Sequence, residues 1–273
     1  MRAAKRWMCA LPAVLLLFFL VNCISLRHAE AQSIAETASL AECVIEVSGR
    51  RFLHEKDADR PLPMASTTKI LTAIILIEDC SPEEIVLIPA EAERAEGSSV
   101  YLRAGERYTV EELLYGLMLR SGNDCAVALA IHHSGSVKKF AAAMNIRASQ
   151  LGAEHSRFAN PHGLPEKDHY TTARDLALIA SHAMENALFR SIVSCKRYPS
   201  LGWKNKNKIL FDYEGACGVK TGFTREAGRC LVAAAERNNV LLVSVVLNSP
   251  QMYERSKELL DRAFLHEEVP IIP

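Results

Sequence analysis

Apolar and polar positions divide the chain into strand-like ends and a helical middle. Ala41 to Val47 is apolar and β-branched, Ser48-Gly49-Arg50 supplies a turn, and Arg51-Phe52-Leu53 follows, which predicts a hairpin. Ile70 to Leu76 is an apolar run without proline, ending near Asp79-Cys80 and Pro82. It predicts a helix that carries Ser66 in its first turn. Ile85 to Ile88 predicts a short strand, and Gly97-Ser98-Ser99 and Ala104-Gly105-Glu106 predict loops. Thr109 with Glu112 three residues on is a capping box, and Leu113, Leu114, Leu117 and Met118 then repeat at helical spacing. Ser121-Gly122-Asn123 interrupts the pattern, and Asp124 to His132 resumes it. Val137 to Leu151 predicts a helix with Phe140, Met144 and Ile146 as core. Thr172 to Met184 predicts another, burying Leu176, Leu178 and Ile179.

The last third changes period. Ile209 to Phe211, Gly218 to Thr221, Cys230 to Ala235 and Val240 to Leu247 read as strands, with Asn238-Asn239 as the turn between the last two. Tyr253, Leu259, Leu260 and Phe264 predict a final amphipathic helix. This order implies an α+β fold: an antiparallel sheet built from both chain ends, with a helical lobe inserted between. No internal repeat and no low-complexity tract occurs.

Residues 1–31 read as a targeting segment. Arg2, Lys5 and Arg6 precede an apolar run from Ala10 to Val21, and Ala29-Glu30-Ala31 is a small-x-small cleavage site. A lipoprotein signal with Cys23 as the acylated residue is the rival reading; Asn22 before it fits poorly. Cleavage after Ala31 leaves residues 32–273 as one domain, or two closely packed lobes, with 28 basic and 31 acidic residues. Nothing in that balance points to nucleic acid. Lys204, Lys206 and Lys208 form the one local basic cluster. The mature chain keeps six cysteines, widely and irregularly spaced, with no Cys-x-x-Cys pair and no zinc pattern. Fifteen disulfide pairings remain open; free thiols are the expectation, because a chain this long folds without staples.

Candidate chemistry centres on Ser66-Thr67-Thr68-Lys69. At helical spacing, Lys69 lies one turn beyond Ser66 on the same face. A serine hydroxyl is a weak nucleophile until a base takes its proton. Lysine serves as that base only where burial or a second cation favours the neutral amine. The helix start also places backbone N–H groups near a developing oxyanion. Ser121-Gly122-Asn123 follows 55 residues after Ser66, and Lys220-Thr221-Gly222 a further 99 residues on. Each motif alone is an ordinary turn or strand end; the ordered set is specific. There is no Gly-x-Ser-x-Gly elbow. His162 reads as structural within its loop, and Cys125 and Cys217, beside motif residues, read as small packing groups.

The three motifs resemble those of the penicilloyl-serine transferases, which comprise penicillin-binding proteins and class A β-lactamases. Longer stretches look like the serine D-alanyl-D-alanine carboxypeptidases. These are Pro63 to Thr72, Tyr108 to Leu114 and Leu119 to Asp124, Asn160 to Leu164, Gly218 to Thr224, and Ala227 to Val232. The resemblance covers about Ala41 to Leu247. It implies a β-lactamase/transpeptidase-like fold and a hydrolase cleaving D-Ala-D-Ala ends of peptidoglycan stem peptides. It also implies covalent inhibition by β-lactams, with no cofactor and no metal. It assigns Ser66 as nucleophile, Lys69 as base and Ser121 as proton relay. Asn123, Lys220, Thr221, Gly222 and Phe223 become substrate-binding groups, with the N–H groups of Ser66 and Phe223 as oxyanion hole. Lys206 lies where relatives place a carboxylate-binding arginine, whose bidentate fork a lysine lacks. Relatives often continue into a β-rich domain and a membrane anchor. This sequence stops about 26 residues after Leu247, so neither a C-terminal β domain nor a firm anchor is expected. The expected location is outside the cytoplasmic membrane, secreted or wall-associated.

Two rival functions remain at this point. A class A-like β-lactamase needs a glutamate that activates water, usually in Glu-x-x-Leu-Asn, and no such stretch follows Ser121. A non-catalytic wall-binding or β-lactam-sensing module has no need of the intact serine and lysine set.

Overall fold

The computed structural model describes residues 39–268; the expected leader and the Cys23 alternative lie outside them. Five strands form one antiparallel sheet in the order β2-β1-β9-β8-β7. These are β1 (Ala41–Glu46), β2 (Arg51–Lys56), β7 (Ala216–Thr224), β8 (Gly228–Arg237) and β9 (Val240–Leu247). The intervening strands form two short ribbons, β3 (Ile85–Leu87) with β4 (Arg107–Thr109) and β5 (Arg197–Tyr198) with β6 (Trp203–Lys204). The hairpins close where expected, and Asn238 and Asn239 both take positive φ, as a tight β8–β9 turn requires. The first strand pairs with the last, Ala41 opposite Leu247, so the sheet is sewn from both chain ends.

The helices are α1 (Lys69–Asp79), α2 (Ala90–Glu93), α3 (Val110–Tyr115), α4 (Asn123–Ser134) and α5 (Val137–Gln150). They continue with α6 (Ala173–Glu185), α7 (Ala187–Ser194), α8 (Ile209–Asp212) and α9 (Met252–Glu268). Alternation along the strands explains the layering. Val44, Leu231, Ala233, Leu242 and Val246 face α9 through Leu259, Leu260 and Phe264. Cys43, Ile45, Val232, Ala234, Val243 and Val245 face the helical lobe on the other side. A central strand covered on both faces is apolar at nearly every position, which is why Cys230 to Ala235 and Val240 to Leu247 read as near-continuous runs, interrupted only by the buried Ser244.

Three local readings change. Ile209 to Phe211 is a helical turn, not a strand: a short apolar run has no decisive period, and the Asn207 side chain accepts the Ile209 N–H at 3.4 Å. Ile146 is 62% exposed. The stripe of α5 runs through Phe140, Met144 and Ala148, and a residue two positions from Met144 points to the opposite side. Leu178 is only half-buried, while Leu176 and Ile179 are buried as expected. The six cysteines among the described residues are free thiols, with Cys43, Cys125 and Cys230 buried. No helix among the described residues is long and apolar enough to cross a membrane.

Candidate active site

Ser66 does not sit in α1 itself. It lies in a 3₁₀ turn, Ala65–Thr68, that runs into α1 at Lys69. Ala65 just before it takes φ +48°, a left-handed conformation costly for a residue with a Cβ. Neighbouring side chains hold this turn. Thr67 Oγ1 donates to the Met64 carbonyl at 2.6 Å, and Thr68 Oγ1 donates to the Ala65 carbonyl at 2.8 Å.

Lys69 is fully buried, and its Nζ lies 3.1 Å from Ser66 Oγ, 2.7 Å from Asn123 Oδ1 and 2.6 Å from the His162 carbonyl oxygen. Burial, then the Lys220 charge, pulls the Lys69 amine well below the ordinary lysine value. The amide and carbonyl oxygens are pure acceptors, so they take two N–H bonds. A neutral amine has two, which leaves its lone pair for the Ser66 hydroxyl proton. The site therefore accommodates Lys69 as a base. None of the three groups on Nζ is a carboxylate.

Asn123 opens α4 and is fixed from both ends: Oδ1 accepts from Lys69, and Nδ2 donates to the Glu96 carbonyl at 2.6 Å. Ser121 ends a π-helical turn over Gly116–Arg120 and takes φ +64°. On β7, Lys220 is buried, and its Nζ donates to the Thr221 carbonyl. Burial, then the Lys206 charge, brings Lys220 down to about 7. A Cβ added at Gly222 would lie 3.0 Å from both the Met64 carbonyl and the Ser66 nitrogen, so β7 packs directly on the serine turn. Alternation puts Lys220 on the same side as Gly222, with Thr221 half-buried and Phe223 65% exposed on the other. Lys206 joins from the side, its N–H bonded to the Leu119 carbonyl at 3.1 Å. It lines a pocket of about 520 Å³ together with Arg120, Lys204, Lys208 and Phe211.

Sequence reasoning missed the groups that support this arrangement. His169 Nδ1 accepts the Ala159 N–H at 3.0 Å, and its Nε2 lies 2.9 Å from Thr68 Oγ1, whose own proton goes to Ala65. Nε2 must therefore carry the hydrogen, and burial keeps His169 neutral by lowering it to about 4. His162, expected to be structural, contributes its backbone carbonyl to Lys69; its ring is lowered to about 3 by burial. Asp124 is buried and accepts from Ser99 Oγ and the Val100 and Leu102 nitrogens, which fixes the loop ahead of α4. No spacing marks these residues. Only the Asn160 to Leu164 and Leu119 to Asp124 stretches, which hold His162 and Asp124, carried a sequence signal.

A sheet sewn from both chain ends, a helical lobe, and a serine bonded to a buried lysine at their junction define a serine enzyme of the transpeptidase and β-lactamase fold. The sequence model of the Peptidase_S11 family, D-alanyl-D-alanine carboxypeptidase, matches residues 28–251. The chain is 31% identical over 269 residues to the D-alanyl-D-alanine carboxypeptidase DacF of Bacillus subtilis, covering 93% of this chain and 69% of that one. It is 36% identical over 230 residues to the D-alanyl-D-alanine carboxypeptidase of Streptomyces sp. K15, covering 76% and 79% respectively. The crystal structure of the Streptomyces K15 DD-transpeptidase superposes with a TM-score of 0.79 at 34% identity, over 84% of this chain and 97% of that one. The chain belongs to the D-alanyl-D-alanine carboxypeptidase family.

Proposed function

We propose that the protein cleaves the terminal D-Ala-D-Ala bond of peptidoglycan stem peptides through an acyl-enzyme on Ser66. The observation that supports the assignment of roles is the Lys69 bond set, which puts one buried amine within reach of two fixed acceptors and of Ser66 Oγ. Ser66 Oγ attacks the carbonyl of the penultimate D-alanine, and its proton passes to Lys69 Nζ. The N–H groups of Ser66 and Phe223 stabilise the tetrahedral oxyanion. Collapse breaks the C–N bond, and Ser121 relays the proton from Lys69 to the leaving amine of D-alanine. Water then attacks the ester, which releases the shortened peptide and restores Ser66. Lys220, Thr221 and Lys206 receive the substrate's terminal carboxylate. Asn123 orients Lys69, and Gly222 keeps β7 close enough for a substrate strand to lie along it.

The test is release of D-alanine from a stem peptide, coupled to labelling by a tagged penicillin. The tag should sit on the proteolytic fragment that contains Ser66. Labelling that survives Ser66→Ala would sink the assignment. Lys69→Ala should acylate ~10² to 10⁴ times more slowly while remaining folded. Deacylation separates this enzyme from a β-lactamase. A peptide loses its leaving group from the cleft, whereas penicillin keeps its amine tethered and blocks water. The penicilloyl adduct should therefore persist for minutes or longer, followed by mass spectrometry. We further propose export: residues 1–31 are removed, and residues 32–273 act as the catalytic domain outside the cytoplasmic membrane. N-terminal sequencing should find a chain starting at Gln32, and one starting at Cys23 would overturn that.

A further inference from the structure

The far ends of α1 and α4 hold a second cluster of chemically active side chains. Cys80 caps α1, Glu84 follows the next turn, and His132 lies in the last turn of α4. One donor atom from each, a sulfur, a carboxylate oxygen and a ring nitrogen, lies within 4.8 Å of the other two. Cys80 and His132 are half-buried, and Glu84 is exposed, so the cluster is shaped yet reachable from solvent. Glu84 is already oriented: Oε1 accepts the Ser81 N–H at 2.6 Å, and Oε2 faces His132 Nε2 at 3.1 Å. Zinc bonds of about 2.0–2.1 Å to nitrogen and oxygen, at the tetrahedral angle, separate those ligands by about 3.3 Å. The Glu84–His132 pair thus stands at the edge length of such a site before any ion arrives. A surface histidine–carboxylate hydrogen bond accounts for these two residues but gives no reason for the thiol beside them.

We infer that Cys80, Glu84 and His132 form a binding site for a divalent cation of the zinc class, with water as the fourth ligand. Thiolate, imidazole and carboxylate together suit zinc and cobalt, whereas magnesium and calcium take oxygen sets. The neighbouring Asp79 is not a ligand: its Oδ2 faces His133 Nε2, and its Oδ1 accepts from Arg147, which leaves the fourth position to water. The position gives the site its role. The first residue of α1 is Lys69 and the first of α4 is Asn123, bonded to each other at 2.7 Å. Cys80 and His132 lie about ten residues further along these helices, roughly 15 Å away at 1.5 Å per residue. An ion there clips the distal ends of the two helices whose near ends carry the site. It acts on stability and touches no reacting atom, and the inference is independent of which bond the enzyme cleaves.

The experiment titrates Co²⁺ and then Zn²⁺ into the reduced, metal-free mature chain. The expected result is one equivalent of Co²⁺ with a sulfur-to-cobalt charge-transfer band and tetrahedral visible bands, both erased by Zn²⁺. Cys80→Ser should abolish the charge-transfer band. His132→Ala and Glu84→Gln should weaken Zn²⁺ at least about 100-fold, the upper range for loss of even an outer-shell partner. Zn²⁺ should raise the unfolding temperature of the parent chain but not of His132→Ala, because only a ligand bound to the folded state stabilises it. Circular dichroism checks that each variant is folded. If Cys80→Ser does not fold, His132→Ala decides. No saturable Co²⁺ binding below millimolar, a charge-transfer band that persists without Cys80, or unchanged Zn²⁺ affinity in His132→Ala overturns the inference.

Discussion

Lys220 and Lys206 set a pH dependence that can be read one residue at a time. Burial and then the Lys206 charge hold Lys220 at about 7, so its charge fades as pH rises through that value. In the proposed mechanism a carboxylate-ended peptide calls for the charged form of Lys220, and the neutral form of Lys69 accepts the Ser66 proton. The profile of kcat/KM, which reports groups of the free enzyme, should therefore be bell-shaped, with its alkaline limb near 7. Lys206→Ala removes a positive neighbour and lifts Lys220, so that limb should move to higher pH whatever happens to the maximum. A limb that stays in place would assign it to another group.

At the scale of elements, the site depends on three segments meeting at one amine. The 3₁₀ turn brings Ser66, α4 brings Asn123, and the 160–164 loop brings the His162 carbonyl. Gly163 is where the loop meets the turn. It takes φ +91°, and a Cβ there would lie 1.9 Å from the Ala65 carbonyl oxygen, a backbone atom with nowhere to go. Gly163→Ala should thus force the loop and the turn apart, with acylation by labelled penicillin reduced more than ~10²-fold and stability lowered by about 1–3 kcal/mol. Gly105→Ala is the matched control: its φ is +85°, but nothing lies within 4 Å of the added carbon. It should cost about 1 kcal/mol from the backbone alone and leave acylation unchanged. Equal acylation in both variants would show that the Gly163 contact is not needed.

For the whole molecule, the joint between the chain ends is an ion pair under the sheet. Glu42 of β1 is buried, and its two oxygens accept from Arg255 of α9 at 2.9 and 2.7 Å, with His54 at 3.0 Å. Burial alone raises Glu42, but hydrogen bonds from His54 and Arg255 outweigh it and bring the carboxyl down to about 2. The unfolded value is about 4.3, so this clasp stabilises fully above that pH and is lost as pH falls towards 2. Glu42→Gln should destabilise by about 3 kcal/mol at neutral pH, as expected when one partner of a buried pair is removed. It should also flatten the loss of stability between about pH 5 and 3. Urea unfolding of both proteins across that range checks both effects. An unchanged slope would place the acid sensitivity elsewhere.

What the sequence determined by itself was local. The Thr109–Glu112 capping box forms both of its reciprocal bonds, Asn238-Asn239 turns β8 into β9, and the strand-helix-strand order implied an open sheet sewn from both chain ends. Ser66, Lys69 and Asn123 were legible because motif chemistry is written in residue type and spacing. The tertiary structure decided what those residues experience. Desolvation of Lys69 requires a lobe packed around it, and its acceptors come from positions 54 and 93 residues away. His169 supports Thr68 across 101 residues, and Cys80 meets His132 across a gap that only the fold closes, so neither pairing leaves a spacing to find. Ile146 and the Ile209–Asp212 turn depart for local reasons, the period of α5 and a run too short to fix one. Periodicity reports the backbone's local angle per residue, whereas which face is covered depends on neighbours that only folding supplies.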